Sequence, residues 1–161
     1  MGMPFSADEV FEMAEQIEKN GAKFYRAAAA KIPEIGNVLL KLADMEDEHL
    51  KTFAAMRKEL AGTELEQPVY DPDNEAQMYL QVMADGKIFD VKADPTKKLD
   101  GAKTPEDILH LAIGIEKDSI AFYVGLKETV SRKAGKEKVD GIIKQEIGHI
   151  AILKNQLDEL K

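Results

Sequence analysis

The sequence predicts an all-α protein, a four-helix bundle built from two helical hairpins that a long crossover connector joins. Three observations lead there. Four long segments carry apolar residues at alternating three- and four-residue spacing. Short breaks separate the segments within each pair, whereas the pairs themselves lie far apart, at residues 6–60 and 104–160. The second pair also repeats the polar residues of the first.

The first helix opens at Ser6, whose spacing to Glu9 is that of a capping box, and runs amphipathically to a stop at Pro33. After the break IPEIG, a second runs through NVLLKLADMEDEHLKTFAAMRKEL to a glycine stop at Gly62. So short a connection makes the two antiparallel. Residues 63–103 hold Pro68, Pro72 and Pro95 among several Asp and Gly residues, and read as a connector outside the core with one short helix around Asn74–Ala84. Thr104 and Pro105 supply an N-cap and a favourable first residue for the third long helix, which continues through DILHLAIGIEKDSIAFYVGLKETV. The fourth is EKVDGIIKQEIGHIAILKNQLDEL. Gly21, Gly114, Gly125 and Gly148 interrupt these patterns at about 1 kcal/mol each against Ala, and are expected to permit close helix packing.

At 161 residues the chain is expected to form one domain, residues 1–161, around a single core. Thirty acidic against 22 basic residues give a net charge of -8. That charge repels phosphate backbones and anionic lipid, which excludes nucleic acid and membranes as expected partners. No apolar run approaches the roughly 18 residues of a spanning helix. The start MGMPFSADEV lacks the basic and apolar regions of a secretory signal, so a cytoplasmic protein is expected. The absence of cysteine rules out a disulfide framework, a thiolate nucleophile and cysteine-ligated zinc or iron. Any metal must be held by carboxylates and imidazoles.

The repeat is where function becomes readable. EKNGAKFY places Tyr25 seven residues after Glu18, and EKDSIAFY places Tyr123 seven residues after Glu116. Each half then supplies a Glu-x-x-His on its second helix, Glu46 with His49 and Glu146 with His149. Glu18 lies on the apolar stripe Ala14, Ile17, Gly21, Tyr25, and Glu116 on Leu109, Ala112, Ile120, Tyr123. Glu46 and His49 occupy the centre of the heptad stripe Leu39, Leu42, Phe53, Met56. Glu146 and His149 sit likewise between Val139, Ile142 and Leu153. Four carboxylates buried in a bundle cost several kcal/mol per ion unless cations compensate them, and no Lys or Arg stands on these stripes at that level. Two transition-metal ions would supply the charge, and four carboxylates with two imidazoles suit them better than calcium or magnesium. A dinuclear site held by Glu18, Glu46, His49, Glu116, Glu146 and His149 is therefore expected.

Tyr25 and Tyr123 are either core aromatics or hydrogen-bond partners of a ligand carboxylate. His110 has no counterpart in the repeat and reads as structural or surface. Asp47, Glu48 and Glu15 read as a solvated face, and the methionines as core filling.

With these residues located, the sequence resembles the rubrerythrin branch of the ferritin-like superfamily, over both helical pairs. The resemblance implies that Glu46 and Glu146 bridge two irons, that Glu18 and His49 complete one, and that Glu116 and His149 complete the other. It also implies a catalytic part for Tyr25 and Tyr123. Two departures stand out. Rubrerythrins carry a cysteine-ligated rubredoxin module that this chain lacks, so electrons must come from a separate donor protein. They also carry an extra glutamate one turn after the third-helix ligand, where this chain has Ser119.

The resemblance thus implies a non-haem di-iron oxidoreductase that reduces hydrogen peroxide, or dioxygen, to water. A ferroxidase coupled to iron storage or delivery is the alternative, and an interaction module carrying zinc or no metal is a third reading. Manganese or zinc could replace iron in the same donor set. A homo-oligomer is expected, a dimer foremost, with the long connector allowing hairpins to be exchanged.

Overall fold

The computed structural model describes residues 5–60, 70–85, 92–131 and 135–161. In it the four long segments are the helices α1 (Ala7–Lys31), α2 (Gly36–Leu60), α4 (Pro105–Thr129) and α5 (Lys136–Glu159), with a short α3 (Glu75–Met83) between the pairs. No strand occurs among the described residues. No helix among the described residues is long and apolar enough to cross a membrane.

The predicted caps are present. The Glu9 amide donates to Ser6 Oγ at 3.1 Å while the Ser6 amide donates to Glu9 Oε2 at 2.8 Å, which closes the capping box of α1. Thr104 and Asp107 do the same for α4, with Pro105 at its first position. Pro33–Ile35 form one turn of 3-10 helix that folds α2 back along α1. The stop expected at Gly62 lies outside the described residues. α4 and α5 form the second hairpin, and α1 lies beside α4.

The connector departs from expectation, since part of it is core. Leu80 of α3 is fully buried, and Leu99 and Ala102 are nearly so. α3 packs on α4, and a 3-10 segment, Pro95–Leu99, packs on α1. Asn74 sits left-handed, at φ 62°, and makes no side-chain cap. Asp71 takes over that task, its carboxylate accepting from the amides of Ala76 and Gln77 at 3.3 Å each.

Of the four glycines expected to permit close packing, two do. A Cβ on Gly125 would stand 2.5 Å from the Tyr79 ring, and one on Gly21 would stand 3.4 Å from Glu46 Oε1. Gly114 and Gly148 face open space, so nothing packs against them. Gly125 lets the α3 residue Tyr79 lie flat enough on α4 for its hydroxyl to donate to the Ala121 carbonyl at 2.6 Å. Gly125→Val is accordingly expected to displace α3 and lower stability by about 1–3 kcal/mol. Urea denaturation would measure that loss, with the contents of the bundle centre unaffected.

The apolar interior falls into two clusters. One gathers Phe11, Phe53, Leu80, Phe122 and Tyr123; the other gathers Phe24, Tyr25, Leu39, Leu42 and Leu153. The glutamates and histidines of the repeat belong to neither cluster and fall between them along each long helix.

Candidate metal centre

Each of the four long helices presents its repeat residues inward. α1 carries Glu18 and Tyr25, α2 carries Glu46 and His49, α4 carries Glu116 and Tyr123, and α5 carries Glu146 and His149. None of the four glutamates or two histidines is more than 3% exposed. Their donor atoms form two groups, Glu18–Glu46–His49–Glu146 and Glu46–Glu116–Glu146–His149, each with all its atoms within 4.8 Å of one another. Glu46 and Glu146 belong to both groups, and each of the other four residues to one.

The histidines turn Nδ1 toward the carboxylates. His49 Nδ1 lies 3.2 Å from Glu146 Oε1, 3.4 Å from Glu46 Oε2 and 3.6 Å from Glu18 Oε1. His149 Nδ1 lies 2.8 Å from Glu146 Oε2, 3.4 Å from Glu116 Oε1 and 3.8 Å from Glu46 Oε1. The rings are nearly parallel, with centroids 5.5 Å apart and planes inclined by 15°.

The tyrosines exchange partners between halves. Tyr25 Oη donates to Glu116 Oε1 at 2.5 Å, and Tyr123 Oη donates to Glu18 Oε1 at 2.6 Å. Each tyrosine thus reaches the glutamate of the other half, across the α1–α4 contact. Tyr123 packs against Phe53 at 5.1 Å between centroids, and Tyr25 against Phe24 at 5.7 Å, which fixes both hydroxyls.

The electrostatics are those of too many carboxylates in too little water. Burial, joined by the neighbouring carboxylates, pushes Glu46 well above its usual range, and burial also raises Glu18. Burial lifts Glu116 to about 7. Burial opposes charge on the histidines, but hydrogen bonds to the surrounding carboxylates outweigh it and raise His49 to about 10 and His149 to about 9. Glu146 is held well below the carboxylate range because both histidines hydrogen-bond to it, despite its burial. Burial, then the adjacent carboxylates, keep Tyr25 and Tyr123 protonated.

The donor set fits a pair of cations. Glu46 Oε2, Glu116 Oε2 and His149 Nε2 are buried with no hydrogen-bond partner, a state that normally costs about 1–3 kcal/mol per group. No Lys or Arg is buried among the described residues. The two arginines of the first hairpin serve the surface instead: Arg26 pairs with Asp47 and Asp44, and Arg57 with Asp8 and Glu15.

Several expectations are refined here. His110 is exposed, as expected. Glu48 is exposed and paired with Lys51, and Asp47 is partly exposed, whereas the Glu15 side chain is only 15% exposed and tied to Arg57. Of the methionines, Met56 fills the core, but Met45 and Met78 are more than 40% exposed. Ser119 is buried and gives its hydroxyl to the Ile115 carbonyl at 3.0 Å. One residue was missed altogether. Gln145, exposed on α5, places Oε1 2.7 Å from His49 Nε2, and no periodicity marks an exposed glutamine as part of a buried site.

Comparison with known proteins agrees with this architecture. Residues 6–159 match the model of the ferritin-like domain family. The fold is similar to the crystal structure of a Thermotoga maritima chain assigned as a ferritin-like diiron-carboxylate protein, with a TM-score of 0.71, 24% identity and full coverage of both chains. No curated protein matches the sequence.

Proposed function

We propose that this chain, which belongs to the ferritin-like domain family, is a rubrerythrin-like di-iron oxidoreductase that reduces hydrogen peroxide, or dioxygen, to water with electrons from a separate donor protein. The observation that carries the reading is the pair of buried carboxylate–imidazole groups that share Glu46 and Glu146. On this reading Glu46 and Glu146 bridge, Glu18 and His49 complete one metal position, and Glu116 and His149 complete the other. The preference for peroxide rests on the resemblance of the repeat to rubrerythrin.

Iron bound there would supply the two electrons that, with two protons, convert hydrogen peroxide to two waters. The chain's own residues prepare the rest. Glu46 and Glu146 hold the halves together from facing helices, and the two apolar clusters exclude bulk water on either side. Tyr25 and Tyr123 carry protons at Oη that their surroundings hold firmly, and they orient the carboxylates of Glu116 and Glu18. Ser119 adds no further carboxylate, so the six-residue set is complete without movement of a seventh ligand.

Stopped-flow oxidation of ferrous protein tests the proposal. Peroxide is expected to oxidise it faster than dioxygen, and Tyr25→Phe to slow the peroxide reaction by about 10²-fold, the lower range of a positioned proton donor, with iron content retained. Oxidation no faster with peroxide than with dioxygen would overturn the peroxidase reading. Uptake of many irons per chain by a large hollow oligomer would favour iron storage.

A further inference from the structure

The six residues of the cluster obey the internal repeat, but the residue that supports them from outside does not. Gln145 precedes Glu146 as Met45 precedes Glu46. Gln145 reaches from α5 to α2, where its Oε1 lies 2.7 Å from His49 Nε2. Met45 stands at the repeat-related position with a thioether, a weak acceptor at best, and His149 Nε2 has no hydrogen-bond partner. The two imidazoles therefore face their carboxylates alike but are held from behind differently.

We propose that Gln145 is a positioning residue that makes the two metal positions unequal, so that the Glu18–Glu46–His49–Glu146 group takes a divalent ion first and more tightly than the Glu46–Glu116–Glu146–His149 group. The inference rests on the dinuclear reading above. An amide oxygen accepts only from a protonated nitrogen, so Gln145 keeps a hydrogen of His49 on Nε2 and makes Nδ1, which faces three carboxylates, the nitrogen that gives up its proton to a metal. It does so without adding charge to a cluster that already holds four carboxyl groups. His149 must choose its tautomer and orientation when the metal arrives. Outer partners of this kind typically change metal affinity by about 10–100-fold, and the same ratio is expected between the two steps of loading.

Cobalt(II) is a suitable probe, titrated without oxygen into metal-free protein and followed by visible absorption and calorimetry. The unsubstituted chain is expected to load in two resolved steps. Gln145→Met, which copies the other half, weakens the first step by about tenfold or more and leaves the second in place. Gln145→Glu keeps both steps resolved, because a carboxylate accepts the same Nε2–H. Met45→Gln strengthens the second step. Gln145 is exposed, so these variants keep the helical content of the parent by circular dichroism. Two equal affinities in the unsubstituted chain would overturn the inference while leaving the dinuclear reading intact, as would equal weakening of both steps by Gln145→Met. A chain that binds no cobalt would overturn both.

Discussion

Glu46→Ala protein, prepared without oxygen and offered ferrous iron, is expected to retain well under one iron per chain, against about two for the unsubstituted protein and about one for Glu18→Ala. The difference follows from membership. Glu46 belongs to both groups of donor atoms, whereas Glu18 belongs to one. Its carboxylate spans the gap between the histidines, Oε2 lying 3.4 Å from His49 Nδ1 and Oε1 3.8 Å from His149 Nδ1. Gly21 leaves it the room to do so, with no side chain between α1 and the carboxylate. Loss of metal through unfolding is a separate matter, and Glu46→Leu distinguishes the two. Burial and three neighbouring carboxyl groups work against a charge on Glu46. An apolar side chain of similar volume is expected to leave the metal-free protein as stable as the parent, or more stable by about 1–4 kcal/mol. A variant that gains stability as it loses metal carries a residue kept for chemistry. Metal content unchanged in both variants would instead favour a bundle whose centre binds no iron.

The site was more legible in the sequence than its surroundings, for a physical reason. Glutamate and histidine on an apolar stripe violate the pattern that places them, and the violation recurs in the second half at the same spacing. Nothing comparable marks Leu80 or Leu99. α3 and the 3-10 turn at Pro95–Leu99 are too short for helical periodicity to single out a buried face, so the connector's share of the core emerges only when α3 settles on Gly125. The crossed pairing of the tyrosines was hidden too. Spacing relates Tyr25 to Glu18 along one helix, but seven residues are two turns, and the hydroxyl passes its own glutamate to reach Glu116 on α4. Gln145 is the limiting case. Its meaning lies in a distance between α5 and α2, which a surface glutamine does not announce.

Metal-free protein is expected to be most stable in mild acid, near pH 4.5–6.5, and to weaken as the pH rises to about 10, whereas metal-loaded protein is expected to hold its stability over the same range. The signs follow from the shifts. His49 and His149 are raised from about 6.5 in the unfolded chain to about 10 and about 9. The stability of their paired charges is therefore complete below pH about 6.5 and lost as the pH climbs through the folded values. Glu116, raised to about 7, acts in the same direction, as do Glu18 and Glu46. Each favours folding when protonated and opposes it once ionised in the bundle. Glu146 acts oppositely, its contribution present above the unfolded carboxylate value and lost in stronger acid. Surface carboxylates bound the acid side as well, Asp8 through its hydrogen bond to Arg57 and Asp107 through the Lys103 amide. Metal ions compete with the protons that neutralise this cluster, so their stabilisation grows as the pH rises. At a free concentration 1,000 times the dissociation constant, each ion would add about 4 kcal/mol, and one such ion raises the midpoint of a chain this size by about 10 °C. Thermal unfolding with and without chelator at pH 5.5, 7 and 9 would show the gap between the two forms widening with pH. A metal-free protein more stable at pH 9 than at pH 5.5 would mean that the carboxylates are compensated by something other than protons and metal, and no buried Lys or Arg among the described residues is placed to do that.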